Sequence, residues 1–343
     1  MSRRYLRVLP LLILMLILAL GTLHASEQSL EAHFIDVGQG DSAFIRFPSG
    51  QVMLIDGGTG NAAGKVVAYL KDQGITRIDH LIATHPHEDH IGGLIYVMMQ
   101  FPVENVYMPR VANNTRVYER LLLTIKEKDL KVTEIKAGLT LDGGPGVNAI
   151  FVAPVSDSYS DLNNFSAVLH LAYGQSSFLF TGDAENLAER EILASGADIR
   201  SDVLKVGHHG NNTSTSEDFL IAVAPSIAVI SVGEGNDYGH PSPSVLALLA
   251  KHEVRVLRTD HHGSIVVSSN GETISVIVEK PGEDPNPAPL PPPTLYIGNK
   301  NSKVFHRTNC RSLPAEHNQV RLSSYEDAIE KGFRPCQNCK PCR

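Results

Sequence analysis

Residues that could bind metal are concentrated in one short segment, which contains His85, His87, Asp89 and His90. Imidazole nitrogens and carboxylate oxygens are the ligands that Zn²⁺ and similar cations take in proteins. Neighbouring side chains point in different directions, so four ligands this close in sequence do not easily converge on one ion. The spacing predicts that His85 and His87 face one metal. Asp89 and His90 then face a second metal, and a solvated histidine-rich loop is the alternative interpretation.

This segment follows a run of apolar residues, Ile78–Ala83, that predicts a strand. We therefore expect the four candidate ligands to lie on a strand-end loop that opens a helix. Gly92 and Gly93 come directly after them. Because glycine adopts conformations that are closed to other residues, we expect this pair to let the backbone turn tightly.

Short apolar runs separated by turn residues indicate further strands throughout the first 280 residues. The predicted strands are Ala32–Val37, Ser42–Phe47, Val52–Ile55, Val147–Val152, Phe165–Leu171, Ser177–Phe180, Val203–Val206, Ile227–Val232, Val254–Leu257, Ile265–Ser268 and Thr273–Val278. The predicted helices are Asn61–Gln73, Thr115–Lys128, Ala184–Ala194 and Ser244–Lys251. Blocks of strands interrupted by single helices favour two packed sheets flanked by helices.

Several other motifs accompany the H-x-H-x-D-H segment. They are His33–Ser42 (HFIDVGQGDS), Leu54–Gly58 (LIDGG), Thr181–Asp183 (TGD), Leu204–Gly210 (LKVGHHG) and Tyr238–Pro241 (YGHP). In this order, over roughly residues 31–280, the chain resembles a metallo-β-lactamase-fold hydrolase. More narrowly, it resembles the soluble hydrolase domain of the ComEC-type competence proteins. The resemblance implies an α/β (α+β) chain folded as an αββα sandwich, with metals at the edge where strand-end loops meet.

The resemblance also implies roles for residues outside the segment. Asp183 would bridge two cations, whereas capping the following helix is its alternative role. One ligand of the second metal would come from His208 or His209, and we choose His208 because it comes first after its strand. His209 would then contact the substrate or support a ligand. Asp56 would orient a ligand histidine, a role that affects metal affinity.

One departure from many two-metal relatives concerns the first metal. A further histidine is usual between the H-x-H-x-D-H loop and the bridging aspartate, but Asn164 and Ser166 stand here, as in the ComEC-type pattern. The first metal would keep His85, His87 and Asp183, with Asn164 or water completing it. We therefore expect one or two Zn²⁺ ions, with Mn²⁺ as the alternative metal.

Three residues are candidates for catalysis itself, namely Asp89, Asp56 and His240. His240, in a Gly-His-Pro turn, would protonate a leaving group or hold a phosphate oxygen, and an ordinary loop histidine is the alternative. A metal-activated water would attack the substrate, while cations neutralise the developing charge. No serine nucleophile in a G-x-S-x-G turn is present in the sequence.

The two ends of the chain differ from its body. Three arginines, the apolar stretch Val8–Leu20 and Ala25 predict a signal peptide over residues 1–26. Because about 20 residues are needed to span a membrane, an uncleaved anchor is the alternative. Either way, we expect a secreted or extracytoplasmic protein. Seven prolines in residues 281–293 predict a stiff linker, so the hydrolase domain covers residues 27–280.

Residues 294–343 form a separate small module. Its candidate zinc ligands are His306, Cys310, Cys336 and Cys339, and a tight Cys-x-x-Cys pair suits tetrahedral zinc. Two disulfides are the alternative in an exported protein. The module resembles the zinc-binding domain of the Ada DNA-repair protein. His306 stands where that domain has its methyl-accepting cysteine, so the resemblance implies structural zinc without alkyl transfer.

Charge is distributed unevenly along the chain. Residues 294–343 contain nine Lys/Arg and four Asp/Glu, a net +5, so the overall −7 leaves −12 on residues 1–293. A metal centre adds local positive charge, so an acidic body does not exclude a phosphodiester substrate. Any electrostatic binding of nucleic acid would then come from the small basic module.

The sequence therefore predicts an exported metal-dependent hydrolase, a phosphodiesterase or nuclease acting on DNA. One alternative is a phosphodiesterase acting on cell-surface polymers or phosphocholine esters. The other is a non-catalytic DNA-binding protein. The expected partner is DNA or another phosphodiester, with the cell envelope as a second candidate, and no protein partner is evident.

Overall fold

The structure is a computed structural model that describes residues 29–282, 296–308, 310–322, 328–329 and 331–339. The predicted signal peptide lies outside the described residues, as does nearly all of the proline-rich linker. Both therefore remain predictions. Within the described residues, no helix combines the length and the apolar character needed to cross a membrane.

Runs of strands in the body are separated by helices. Its strands are β1 (Leu30–Phe34), β2 (Ala43–Arg46), β3 (Val52–Ile55), β4 (Ile78–Ile82), β5 (Val103–Pro109), β6 (Val132–Ile135), β7 (Thr140–Leu141), β8 (Val147–Ala153), β9 (Val168–Tyr173), β10 (Ser176–Phe180), β11 (Val203–Lys205), β12 (Ile227–Ile230), β13 (Arg255–Arg258), β14 (Ile265–Ser269) and β15 (Ile274–Val278). Its helices are α1 (Ala63–Asp72), α2 (Glu88–Gln100), α3 (Arg116–Glu127), α4 (Asn186–Ser195), α5 (Glu217–Val223), α6 (Pro243–Lys251) and the short α7 (Thr259–His262).

Two mixed sheets form the centre of the body. The first has the strand order β15-β14-β1-β2-β3-β4-β5-β6, and the second has the order β13-β12-β11-β10-β9-β8-β7. Their facing sides share one buried cluster, to which Phe34 and Phe180 contribute stacked rings from opposite sheets. Burial of such apolar surface is the main force that holds the two sheets together.

Helices cover the outer face of each sheet. Helices α1, α2 and α3 share a second apolar cluster with the first sheet, and α4, α5 and α6 share a third with the other sheet. Helix α3 illustrates the pattern, because Tyr118, Leu121 and Ile125 are buried at helical spacing and Thr115 caps its first turn. The layers run helix, sheet, sheet, helix, so the predicted αββα sandwich is confirmed.

The parallel parts of the two sheets determine where side chains can converge. Strands β3 to β6 run parallel in the first sheet, and β10 to β13 run parallel in the second. In such sheets, ligands bind beyond the carboxyl ends of the strands. The loops after β3, β4, β10 and β11 carry the candidate metal ligands, and they meet at one edge of the sandwich.

The Gly92-Gly93 pair does not form a tight turn, and that expectation was wrong. Both glycines lie inside α2. A Cβ on Gly93 would come within 1.9 Å of the carbonyl oxygen of Gly57, and one on Gly92 within 2.4 Å of the Gly60 nitrogen. The pair is needed because the first turns of α2 contact the loop after β3 backbone to backbone.

The C-terminal module has its own small sheet and core. The strands β16 (Tyr296–Asn299), β17 (Val304–Arg307), β18 (Gln319–Leu322) and β19 (Arg334–Pro335) lie in the order β18-β16-β17-β19. Its buried apolar residues include Tyr296, Phe305 and Leu322. So small a core buries little surface, which is typical of domains that need a metal for stability.

Candidate metal centre

The H-x-H-x-D-H segment connects β4 to α2 and is held from behind by Asp56. The Asp56 carboxylate accepts hydrogen bonds from the Thr84 backbone N–H at 2.8 Å and from its hydroxyl at 2.6 Å. His87 is the N-cap of α2, but its side chain makes no capping bond. The loop is therefore fixed at its base, and its histidine rings face the edge of the sandwich.

One group of donors surrounds His85. Its Nε2 lies 3.0 Å from Nδ1 of His87 and 3.8 Å from Oδ2 of Asp183. Ser166 lies on the far side, with its hydroxyl 3.4 Å from Nδ1 of His85, and that hydroxyl accepts the Asp183 N–H at 3.0 Å. His85 and Asp183 are both almost fully buried. These donors correspond to the first predicted metal position.

A second group lies directly beside the first. Nε2 of His90 is 3.2 Å from Oδ2 of Asp183 and 3.9 Å from Oδ2 of Asp89. Nε2 of His209 is 3.2 Å from the Asp89 oxygen and 3.6 Å from the Asp183 oxygen. Asp183 therefore contacts both groups, and its role as a bridge between two cations stays a prediction.

The structure places His209, rather than His208, in the second group. Nε2 of His208 lies 3.9 Å from Asp183, and its Nδ1 is 3.3 Å from the carboxylate of Glu185. The His208 side chain is 19% exposed, against 2% for His209. Both residues have positive φ, 48° and 54°, so the chain turns away after β11 and presents its second histidine to the carboxylates. The geometry thus favours His209 as the ligand.

Carboxylates behind the centre hold two of its histidines. Nδ1 of His90 donates to Asp56 at 2.8 Å, and Nδ1 of His209 lies 3.0 Å from the Ser231 carbonyl oxygen and 3.2 Å from Asp41. A histidine whose Nδ1–H is engaged in this way presents the lone pair of Nε2 to a metal. Asp56 itself has φ 58°, an uncommon conformation for a non-glycine residue, and is fully buried.

Asp41 and Lys205 lie in two of the sequence motifs but were not among the predicted site residues. Nζ of Lys205 is 2.7 Å from Oδ2 of Asp41, and both side chains are buried beneath the centre. The only signal in the sequence was a lysine inside the apolar strand Val203–Val206. A charge in such a run needs a buried partner.

Two other candidate residues, Asn164 and His240, lie outside the two groups of donors. Oδ1 of Asn164 accepts the Ala188 N–H in the first turn of α4, and its amide donates to Glu185 at 3.3 Å. Its role beside a metal therefore stays a prediction. His240 lies at the rim, with its ring 5.6 Å from that of His208 and 6.1 Å from that of His209.

Electrostatics couple the buried groups. Burial disfavours the charged form of His90, but the carboxylates of Asp183 and Asp89 outweigh it and hold the pKa of His90 well above its ordinary value. Burial opposes a charge on His209 too, yet Asp183 and Asp41 raise its pKa to about 10. Protons and cations compete for such nitrogens, so metal binding here must release protons.

Two orphaned atoms show that the centre fits a cation. Nε2 of His90 and Oδ1 of Asp183 are shielded from solvent and make no hydrogen bond within the described part of the chain. Buried polar atoms normally have a partner. Nitrogen and carboxylate donors that converge in this way are typical of a divalent metal site, and one ion or two adjacent ions suit this set.

The C-terminal module holds a separate donor cluster. His306, Cys310, Cys336 and Cys339 each place one ligand atom within 4.8 Å of the others. These three cysteines are free, and Cys342 lies outside the described residues. Three thiols and one imidazole at this spacing suit a structural tetrahedral zinc rather than two disulfides.

Two parts of the chain match known families. Residues 35–234 match the family model described as Metallo-beta-lactamase superfamily, and residues 293–342 match the Metal binding domain of Ada. The chain is 34% identical to ComE operon protein 3 of Bacillus subtilis (strain 168), over 68% of this chain and 32% of that protein. It is 31% identical to Competence protein ComA of Neisseria gonorrhoeae, over 67% of this chain and 31% of that protein.

The chain thus spans about a third of the length of the curated relatives it matches. Among solved structures, it is similar to CmlA, a diiron beta-hydroxylase from Streptomyces venezuelae. That match has a TM-score of 0.45 and 18% identity, and it covers 65% of this chain and 51% of the other.

Proposed function

The chain belongs to the metallo-beta-lactamase superfamily, whose members are metal-dependent hydrolases, and it carries an Ada-like zinc-binding domain, so we propose that it is an exported phosphodiesterase that cuts DNA. One observation carries the proposal most directly. Asp183 lies between two groups of buried nitrogen and carboxylate donors, with 3.8 Å to His85 on one side and 3.2 Å to His90 on the other.

Cations bound by these donors would activate a water molecule and neutralise the charge that develops on a phosphodiester. Four donors would hold one ion, namely Asp89, His90, His209 and Asp183, and His85 and His87 would hold another together with Asp183. The residues behind them hold the rings in place, since Asp56 accepts the Nδ1 proton of His90. His240 at the rim would hold a phosphate oxygen or supply a proton to the leaving group.

Support for DNA as the substrate comes from outside the metal centre. The C-terminal module has a net charge of +5, whereas residues 1–293 carry −12. Nonspecific binding to DNA phosphates depends on lysine and arginine side chains. The segment before residue 27 supports export. One of the two curated relatives is named Competence protein ComA.

The test is turnover by the purified full chain on single- and double-stranded DNA, with Mn²⁺, Mg²⁺ or Zn²⁺ added. The variant Asp89→Ala should abolish cleavage and lower the amount of bound metal, because Asp89 approaches both histidines of the second group. Its midpoint of thermal unfolding should stay close to that of the wild type, since the side chain is 31% exposed.

Asp72→Ala is the matched control. Asp72 is an exposed aspartate at the end of α1, one helix length from the loop that contacts α2, so its removal should change neither cleavage nor metal content. Wild-type turnover by Asp89→Ala, with the bound metal unchanged, would remove this centre from the reaction.

A further inference from the structure

The most exposed large hydrophobic side chain among the described residues is next to the metal centre. Tyr238 is 70% exposed, ahead of Ile277 at 66% on the edge strand β15. Single exposed apolar residues are common on protein surfaces, so exposure alone does not indicate a function. The position of this ring is what distinguishes it.

Tyr238 is the outermost of three stacked rings. Its ring lies 5.7 Å from that of His240 with an angle of 22° between the planes. The ring of His240 lies 6.1 Å from that of His209 with an angle of 28°, and His209 contacts Asp89 and Asp183. The series therefore leads from the metal ligands out to solvent, and the outer face of Tyr238 is the surface that a bound substrate would meet.

The backbone that carries Tyr238 is fixed. The Asn236 side chain accepts the N–H groups of Tyr238 at 3.2 Å and His240 at 3.0 Å, and it donates to the His240 carbonyl oxygen at 2.7 Å. The loop starts at Gly233, whose N–H donates to the Gln39 side chain at 3.1 Å. A tyrosine has few rotatable bonds, so a ring on a fixed loop loses little entropy when a ligand packs on it.

The surroundings decide which ligand would use this face. A quaternary ammonium group needs several aromatic faces around it, whereas the ring contact recorded for Tyr238 within the described chain is with His240. The histidines and bound cations nearby would also repel a positive charge. A flat, uncharged ring suits the site, and every nucleobase has such a face.

We propose that Tyr238 is a stacking platform for an unpaired nucleobase next to the phosphodiester at the metal centre. This inference rests on the proposed function and sharpens it. A base inside a duplex has no free face, so the preferred substrate is single-stranded nucleic acid or an unpaired strand end. Tyr238 then determines specificity, and the metal ligands and His240 remain the groups nearest the reacting phosphate.

The test compares two twelve-residue oligomers, oligodeoxythymidylate and a chain of the same length built entirely from abasic sites. Binding by fluorescence anisotropy and kcat/KM for cleavage are both measured with the full chain. Tyr238→Ala should weaken binding and lower kcat/KM for the thymidylate about 5- to 150-fold, mainly through KM, since stacking is worth this much per base. Tyr238→Phe should retain wild-type values, because the stacking face is kept.

The abasic oligomer and the variant Ile277→Ala are the controls. The abasic chain keeps every phosphate, so it should bind wild type and Tyr238→Ala equally, and Ile277→Ala should change nothing. The inference is overturned if Tyr238→Ala weakens both oligomers equally or neither of them. If the wild type cleaves neither oligomer, the proposed hydrolysis fails, and the binding comparison still decides whether Tyr238 stacks on bases.

Discussion

At the scale of single residues, the ion pair of Asp41 and Lys205 connects the two sheets beneath the metal centre. Both side chains are under a tenth exposed, and Nζ of Lys205 also donates to the Val206 carbonyl oxygen. Burial opposes the ionised form of Asp41, but the charges of Lys205 and His209 together outweigh it and lower the pKa of Asp41. The other oxygen of the Asp41 carboxylate faces His209, so the pair supports a candidate ligand.

Removing the lysine should therefore be strongly destabilising. Lys205→Met leaves the buried Asp41 carboxylate without its lysine partner, and we expect the free energy of unfolding to fall by about 3–5 kcal/mol. Urea denaturation of the metal-free protein measures this. The double variant with Asp41→Asn removes the charge as well and should recover much of the loss.

The matched control for that experiment is Lys251→Met, which breaks an exposed ion pair with Glu217. Surface pairs contribute little, so this variant should unfold close to the wild-type midpoint. If Lys205→Met were as stable as Lys251→Met, the pair beneath the centre would have no structural role.

Residue types and spacing indicated which elements supply the metal ligands, but not which of two neighbouring histidines faces the centre. His208 and His209 are chemically equivalent in the sequence, and choosing the first assumes that the chain continues straight after its strand. Positive φ at both residues reverses that assumption. Such conformations are imposed by tertiary contacts and not by residue type. Asp41 and Lys205 were missed similarly, because Asp41 lies in the loop between β1 and β2 and Lys205 lies in β11 of the other sheet.

At the scale of secondary structure, the contact between α2 and the loop after β3 sets the position of the H-x-H-x-D-H segment. Gly93→Ala would place a Cβ 1.9 Å from the Gly57 carbonyl oxygen, and backbone cannot rotate out of the way. We expect a loss of about 1–3 kcal/mol in stability and weaker metal binding, because α2 carries Asp89 and His90. Thermal unfolding and metal titration measure the two effects.

Gly64→Ala is the comparison for this substitution. Gly64 lies in α1, and a Cβ there would meet nothing within 4 Å. Alanine favours helix over glycine by roughly 0.5–1 kcal/mol, so this variant should be as stable as the wild type or more so. Equal effects of the two substitutions would show that the close contact does not position α2.

Elements with strong apolar patterns could be predicted, and those with polar or short sequences could not. Strands β1 to β4 and β8 to β15 lie where apolar runs occur. Strand β5 was missed because Glu104 and Asn105 interrupt its apolar pattern and both are exposed. Helix α5 has seven residues, too few for a clear helical period. The strand expected at Phe165–Leu171 starts at Val168, because Leu162–Phe165 form a 3-10 turn.

At the scale of the whole molecule, the C-terminal module should depend on its metal. One zinc held by His306, Cys310, Cys336 and Cys339 would contribute most of its folding energy, so chelation should unfold it. Metal analysis and thiol counting on the unreduced protein test this. One zinc per module with its thiols released only after chelation is the expected result. Four cysteines found as two disulfides, without zinc, would contradict it.

The uneven charge of the chain predicts that the module binds DNA and the body carries out hydrolysis. The module carries +5 and residues 1–293 carry −12, so nonspecific attraction to DNA phosphates should come mainly from residues 294–343. A protein ending at residue 280 should therefore bind DNA more weakly, and its affinity should fall less steeply with salt. Every candidate ligand of the hydrolase centre lies before residue 280, so hydrolysis of bis(p-nitrophenyl) phosphate should hardly change. Equal affinity and equal salt slope for the two proteins would mean that the module serves another purpose, such as attachment to the cell envelope.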